Sequence, residues 1–197
     1  MEYTSQSEEV KLKRSKKMML WFGIISLSMM FAGLTSAYIV SSERRDWLSD
    51  FQLPQAFYLS TGIIILSSIS LYVAKWAIFQ NKKQLGTLSL LATLVLGILF
   101  VVFQFRGFDE IIASGYFFTG SESTVTTSFI YAFVITHVVH VLAGILVLLV
   151  VVIQQLRGKY SKEQALGFEL GATFWHFVDI LWVYLFLFFL FADDLIK

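Results

Sequence analysis

The sequence predicts an all-α integral membrane protein, a bundle of five transmembrane helices. Of its 197 residues, 57% are hydrophobic and only 15% are charged, and the mean hydropathy is +0.72. A soluble domain of this size carries more charge. The apolar residues also gather into five stretches of about 20 to 27 residues, each long enough to cross the hydrocarbon core as a helix.

The predicted spans follow one another with mostly short loops between them. They comprise residues 18–40, 54–74, 86–105, 127–153 and 170–192. Residues 1–17 are polar and charged, and we expect a mobile cytoplasmic tail or a surface helix there. Residues 193–197 are expected to form a short external tail. The longest loop, residues 106–126, is rich in Ser, Thr and Gly and is long enough to contact a partner domain.

The distribution of basic residues predicts the orientation. The N-terminal tail, the second loop and the fourth loop together hold eleven Lys and Arg residues, whereas the opposite side holds four. Because cytoplasmic loops carry the excess of Lys and Arg, the N-terminus is expected in the cytoplasm and the C-terminus in the periplasm. The basic cluster before residue 18 resembles the start of a signal peptide, but the apolar stretch behind it is too long, so an uncleaved first helix is predicted.

The composition excludes several classes of function. The chain has no Cys, which excludes thiolate metal centres, iron–sulfur clusters and disulfides. Its net charge of +1 gives no reason to expect binding to nucleic acid.

Small residues recur inside the spans, and we expect them to serve helix packing. Gly167 and Gly171 have the G-x-x-x-G spacing that lets helix backbones approach closely. The other members of this group are Gly23, Ala32, Gly33, Gly62, Gly97, Ala143 and Gly144.

Polar side chains within the last two spans form the candidate site. Asp179 is the one charged residue well inside a membrane-length stretch, where a carboxylate is costly unless it is paired or hydrated. All three histidines are also intramembrane, with His137 and His140 in the fourth span and His176 in the fifth. Spacings of three residues put His137 with His140, and His176 with Asp179, on shared helix faces, and consecutive spans usually pack side by side.

Three interpretations of this group are open. The side chains could ligate zinc, another non-haem metal or a haem. They could form a polar network with water or a lipid headgroup, or they could transfer protons along the helix face. The helix rise places His176 and Asp179 about 9 and 14 Å from the cytoplasmic surface, but His140 and His137 about 20 and 24 Å from it. Direct coordination across that offset needs a strong tilt, so the polar network is favoured.

Two motifs in the last two spans carry a family likeness. Residues 167–169 read G-F-E and residues 175–182 read W-H-F-V-D-I-L-W, while residues 137–144 read H-V-V-H-V-L-A-G. They resemble the subunit III family of haem–copper oxidases, in which G-F-E precedes W-H-F-V-D-x-x-W in the last helix and H-x-x-H-V-x-x-G lies in the helix before it. The likeness covers about residues 18–191, and the chain is similar to the five-helix bacterial form of the family.

The resemblance implies a subunit of a cytochrome c oxidase, a terminal respiratory oxidase that reduces O2 to water and pumps protons. It implies no catalytic residue and no cofactor in this chain, since the haems and copper lie in the partner subunits I and II. Such a subunit binds phospholipids and supports the catalytic subunit, within the bacterial cytoplasmic (inner) membrane and in some cases a larger respiratory supercomplex. Independently, three histidines are too few for the roughly six that two haems and a copper require.

One position departs from the family pattern. Many members carry a buried glutamate in the first of these five helices, and Leu27 stands there in this chain. Proton conduction by that carboxylate therefore does not carry over.

We expect Glu169, His176 and Asp179 to form one polar patch near the cytoplasmic half, with His137 and His140 on a facing helix. Such a patch would orient lipid headgroups or brace the helix pair. The candidate residues for polar contacts or lipid binding are His137, His140, Glu169, Trp175, His176 and Asp179. A quinol oxidase is the alternative within the family, because the electron donor docks elsewhere. A free-standing haem or metal-binding membrane protein is a more distant alternative, and a small transporter lacks support because no inverted repeat is evident.

Overall fold

The chain folds into five helices, each long and apolar enough to cross a membrane. The structure is a computed structural model that describes residues 2–44, 47–48, 53–118, 123–160 and 165–196. The helices are α1 (Glu2–Ser41), α2 (Gln55–Phe79), α3 (Lys83–Ala113), α4 (Val125–Leu156) and α5 (Leu166–Ile196). The prediction of an all-α protein with five membrane-length helices is confirmed.

The helices extend beyond the predicted spans at several ends. α1 runs without a break from Glu2, through the expected tail, and α3 continues to Ala113 rather than ending at residue 105. α5 extends to Ile196, into the expected external tail. Hydropathy marks only the part of a helix that lies in the membrane, whereas Glu, Lys, Gln and Arg are good helix formers that prolong it. The expected loop 106–126 is therefore reduced to residues 114–124, of which residues 119–122 lie outside the described part.

Left-handed residues stop three of the helices. Asn81 has φ 59° in the tight turn between α2 and α3, and its N–H donates to the carbonyl of Ile78. Gly115 and Gly158 take the same role after α3 and α4, with φ of 84° and 69°. Glycine and asparagine enter this region at little cost, so these positions end the helices cleanly.

α2 and α3 form a closely packed antiparallel hairpin because the buried stripe of α3 is rich in small residues. A Cβ on Gly86 would lie 2.8 Å from Cγ1 of Ile78, and a Cβ on Gly107 would overlap the ring of Phe57. Gly171 approaches α4 in the same way, where its Cβ would lie 3.0 Å from Cγ2 of Val151. By contrast, Gly23, Gly33 and Gly62 meet no atom within 4 Å, so the predicted packing role does not hold for them within this chain.

α4 and α5 hold the inner positions in the bundle. Within the described ranges α5 packs against α1, α2 and α4, and α4 packs against α1, α3 and α5, whereas α1 packs only against α4 and α5. The ion pair between Lys17 and Glu169 shows that the first turn of α5 lies at the same end of the bundle as the basic segment of α1. The two motif-bearing helices therefore join the other elements.

Candidate functional site

Two tryptophans of α5 hydrogen-bond across to α2. The indole Nε1 of Trp175 donates to Oγ of Ser67 at 3.1 Å, and that of Trp182 donates to Oγ1 of Thr61 at 3.0 Å. The partner number falls as the tryptophan number rises, so the two helices run antiparallel. Seven residues separate the tryptophans, which places them two turns apart on one face. We call these two pairs, together with the Ser68–His176 pair next to the first of them, the α2–α5 seam.

Trp175 occupies a slot that glycines on two other helices create. Its Cη2 atom lies 2.6 Å from where a Cβ of Gly97 on α3 would be, and its Cε3 atom lies 3.0 Å from where a Cβ of Gly144 on α4 would be. The side chain is 1% exposed, and its one polar atom is bonded to Ser67. Trp175 therefore touches α2, α3 and α4 at once, and no larger residue fits in place of either glycine without displacing it.

His176 and Asp179 lie together beside α2. Nδ1 of His176 is 2.6 Å from Oγ of Ser68. The carboxyl group of Asp179 lies close to Ser68 as well, but neither of its oxygens has a hydrogen-bond partner at hydrogen-bonding geometry within the described part of the chain. Asp179 is only 3% exposed. It is thus a buried carboxyl group whose hydrogen-bonding capacity is unmet.

Both residues line an open groove between α2 and α5, which we call the Asp179 groove. Its volume is about 440 Å³, and its walls are mostly aliphatic. The lining residues are Ile64, Ile65, Ser68, Ile69, Tyr72, His176, Asp179, Ile180 and Val183.

His137 lies apart from this groove, in an aromatic cage. Its ring centroid is 5.1 Å from that of Trp182, and the rings of Phe31 and Phe100 approach it edgewise at 6.4 and 5.9 Å. The side chain is fully buried, and within the described residues neither ring nitrogen has a hydrogen-bond partner. The imidazole therefore packs as a flat ring among aromatic groups and contacts Trp182 rather than His176.

His140 bonds within its own helix. Its Nδ1 is 2.7 Å from the carbonyl oxygen of Thr136, and its ring meets the ring of Phe31 at 6.1 Å. Leu27 is half-buried on α1, one turn before Phe31. The ring contact of both His137 and His140 on the α1 side is therefore with the apolar Phe31.

Glu169 pairs with Lys17 at the end of the bundle. Nζ of Lys17 lies 2.9 Å from a carboxylate oxygen of Glu169, and the two side chains are 52% and 36% exposed. Nearby, Tyr160 in the α4–α5 loop packs against Gly167, and burial raises the pKa of its phenol above the ordinary value.

The structure brings together only part of the expected patch. His176 and Asp179 share one groove, while Glu169 is paired with α1 and the two fourth-helix histidines lie in the aromatic cage or on their own helix. The expected patch of Glu169, His176 and Asp179 is therefore divided in two. The fourth helix does face α5, but His137 contacts Trp182, six residues beyond His176. Within the described residues, no three His, Asp or Glu side chains converge as a metal site would require.

The sequence interpretation missed two partners. Lys17 belongs to the segment predicted as a tail or a surface helix, and its place just before the apolar stretch is the signal that puts it level with Glu169. Phe31 gave no signal that distinguishes it from the other phenylalanines, and its contact with both His137 and His140 depends on how α1 packs.

Comparison with known proteins identifies the family. The profile described as "Cytochrome c oxidase subunit III" matches residues 5–193, which include almost all of the five helices. Proteins named cytochrome c oxidase subunit 3 from Spodoptera frugiperda, Drosophila melanogaster and Glycine max are 36%, 34% and 35% identical to the chain over 138, 137 and 141 residues, or 70–71% of its length. The aligned region covers 87% of the first of these relatives but only about half of the other two, 49% and 50%. The chain belongs to the cytochrome c oxidase subunit III family.

Proposed function

We propose that this chain is the third subunit of a haem–copper cytochrome c oxidase, in which it binds no redox centre and stabilises the catalytic subunit. The family match over residues 5–193 carries the proposal. The relatives above, all named cytochrome c oxidase subunit 3, favour cytochrome c over quinol as the electron donor of the complex. The complex reduces O2 to water and pumps protons, with the haems and copper held by partner subunits I and II.

The environments of the three histidines support a role without a redox centre. Nδ1 of His176 bonds to Ser68, Nδ1 of His140 bonds to a carbonyl of its own helix, and His137 is enclosed by aromatic rings. A haem clamped by two histidines would need both imidazoles to face one cavity, and of the three histidines only His176 lines the Asp179 groove. The seam and the aromatic cage instead make α5 a rigid support for the rest of the bundle.

We further propose that the N-terminus lies in the cytoplasm and the C-terminus in the periplasm of a bacterial cytoplasmic membrane. The ion pair of Lys17 with Glu169 places the start of α5 at the basic end of α1. Because successive helices alternate in direction, the basic α2–α3 and α4–α5 connections lie at the same end, which supports a cytoplasmic N-terminus. The likeness of the sequence motifs to bacterial members is the support for this location, while the relatives above come from insects and a plant. Phospholipids are the proposed neighbours of the exposed apolar faces, and a respiratory supercomplex is the proposed wider assembly.

Mass spectrometry of the complex purified through this chain in mild detergent tests the proposal. We expect a haem-bearing, twelve-helix catalytic subunit to co-elute, together with a second subunit that carries a dinuclear copper site. A second subunit without copper ligands would instead identify a quinol oxidase. A Soret band that stays with the isolated polypeptide after every partner has been removed would contradict the proposal.

Asp179 provides a second test at the residue level. Asp179→Ala should reduce the amount of this chain that is retained in the purified complex, because it removes the one buried carboxyl group among the residues that the structure describes. Thr173→Ala is a matched control, since the Thr173 hydroxyl bonds only to the Glu169 carbonyl of its own helix. Normal retention of the Asp179 variant, with unchanged stability of turnover, would argue against a role for this residue in assembly.

A further inference from the structure

We propose that the Asp179 groove receives a transmembrane helix of a partner oxidase subunit, and that this helix brings one hydrogen-bond donor side chain level with Asp179. The inference rests on the proposed function and names the surface of the chain through which it binds its partner.

The unmet hydrogen bonds of Asp179 are the first reason. Both carboxyl oxygens lack a partner within the described residues, although Asp179 is only 3% exposed. The adjacent Ser68 has a single hydroxyl proton and already lies 2.6 Å from Nδ1 of His176. Even with that proton turned toward Asp179, one carboxyl oxygen would remain without a donor. Buried polar groups are normally hydrogen-bonded, and a donor side chain on a partner helix would supply the bond that this chain leaves unmade.

The depth of Asp179 excludes a phospholipid headgroup as that donor. Glu169, which pairs with Lys17, marks the polar end of α5. Asp179 follows it by ten residues, a distance of about 15 Å along the helix. Headgroups lie at the polar interface, and acyl chains contain no hydrogen-bond donor. The donor must therefore lie within the hydrocarbon core.

The shape of the exposed surface fits a helix. An exposed stripe runs along α2 for about 21 Å, beyond the residues that line the groove. It consists of Tyr58, Gly62, Ile65, Ile69 and Tyr72. Gly62 meets no atom within 4 Å, so a second backbone can approach closely there, as small residues allow in membrane helix pairs. A ring-sized amphiphile would fill only part of this length.

Exposed aliphatic side chains border the groove that Asp179 lines. Ile65 and Ile69 are 46% and 55% exposed, and both line the groove with Asp179. They are the groups that a partner helix would contact beside the carboxyl group. Arg, Lys, Asn, Gln, Ser, Thr, Tyr and Trp all provide the required N–H or O–H group.

Site-specific photocrosslinking tests this surface, with a benzophenone amino acid incorporated during synthesis of the chain so that the complex assembles around the probe. The probe replaces Ile69 in the groove. Val95 on α3 is the matched control position, since Val95 is 54% exposed and lies within about one turn of the same level, near the Ser67–Thr93 contact. A probe at Ile180, which is 68% exposed, repeats the test from the α5 side.

We expect both groove probes to crosslink to a transmembrane segment of a partner oxidase subunit at least tenfold more than the control. The crosslinked partner peptide should contain a donor side chain. Asp179→Leu should reduce the crosslinking yield at least fivefold. Asp179→Asn, which keeps an acceptor oxygen, should leave that yield unchanged. Adducts with lipid, a quinone or a second copy of this chain, or equal yields from all three positions, would overturn the inference while co-purification still supports the proposed function. If no oxidase co-purifies, both fail.

Discussion

α5 and α1 are both long apolar helices, but the chain buries them very differently. Half of the most apolar window of α5 is buried within the chain, compared with 17% of the corresponding window of α1. α5 inserts Trp175 and Trp182 between other helices and bonds both to α2, whereas α1 buries little more than one narrow stripe. Apolar composition therefore shows that a helix lies in the membrane, and the polar and small residues decide which helices pack together.

The largest expected effect comes from removing the tryptophan that joins α5 to three helices. Trp175→Ala should lower the free energy of unfolding by about 3 kcal/mol, near the lower end for such a truncation because lipid-like surroundings contribute no hydrophobic term. Trp21→Ala on α1 is the control, since Trp21 is 58% exposed and should change stability little. Denaturation in mixed micelles, followed by circular dichroism, measures both. Equal losses would show that the contrast between the two helices does not hold.

The second largest effect is expected from adding one methyl group at a glycine that packs against α5, compared with a glycine on α1. Gly97→Ala places a Cβ 2.6 Å from Trp175, and overpacking of this kind costs about 1 to 3 kcal/mol. Gly33→Ala on α1 meets no atom within 4 Å and should be neutral or stabilise the chain by up to about 1 kcal/mol through helix propensity. The same unfolding assay compares the pair. A destabilised Gly33 variant would mean that α1 is packed more tightly than its surface indicates.

A smaller effect is expected from the hydrogen bonds of the α2–α5 seam. Thr61→Val preserves the shape of the side chain but leaves the indole N–H of Trp182 without its acceptor, which should cost about 1 kcal/mol. Thr87→Val is the control, because the Thr87 hydroxyl bonds only to the Lys83 carbonyl of its own helix. The same unfolding assay measures both variants. Unchanged stability of the Thr61 variant would show that packing alone positions Trp182.

The five helices could be predicted from the sequence because hydropathy is a property of each segment on its own. The closeness of His176 to Asp179 followed from their spacing on one helix in the same way. The separation of Glu169 from that pair could not be predicted, because it depends on Lys17, whose helix continues through a segment that hydropathy assigns to a tail. The aromatic cage around His137 also combines side chains from four helices, and no local pattern reports such a meeting.

The smallest expected effect concerns the ion pair that links the two compared helices. Lys17→Ala should lower the free energy of unfolding by less than about 1 kcal/mol, because both partners are partly exposed to solvent. Lys16→Ala is the charge-matched control on the next residue of α1. In a double-mutant cycle with Glu169→Gln, the coupling should appear for Lys17 and not for Lys16, and it should fall as salt is added. A coupling that resists salt would mean that the pair is shielded from water, and α1 would then be fixed to α5 more firmly than its exposed surface implies.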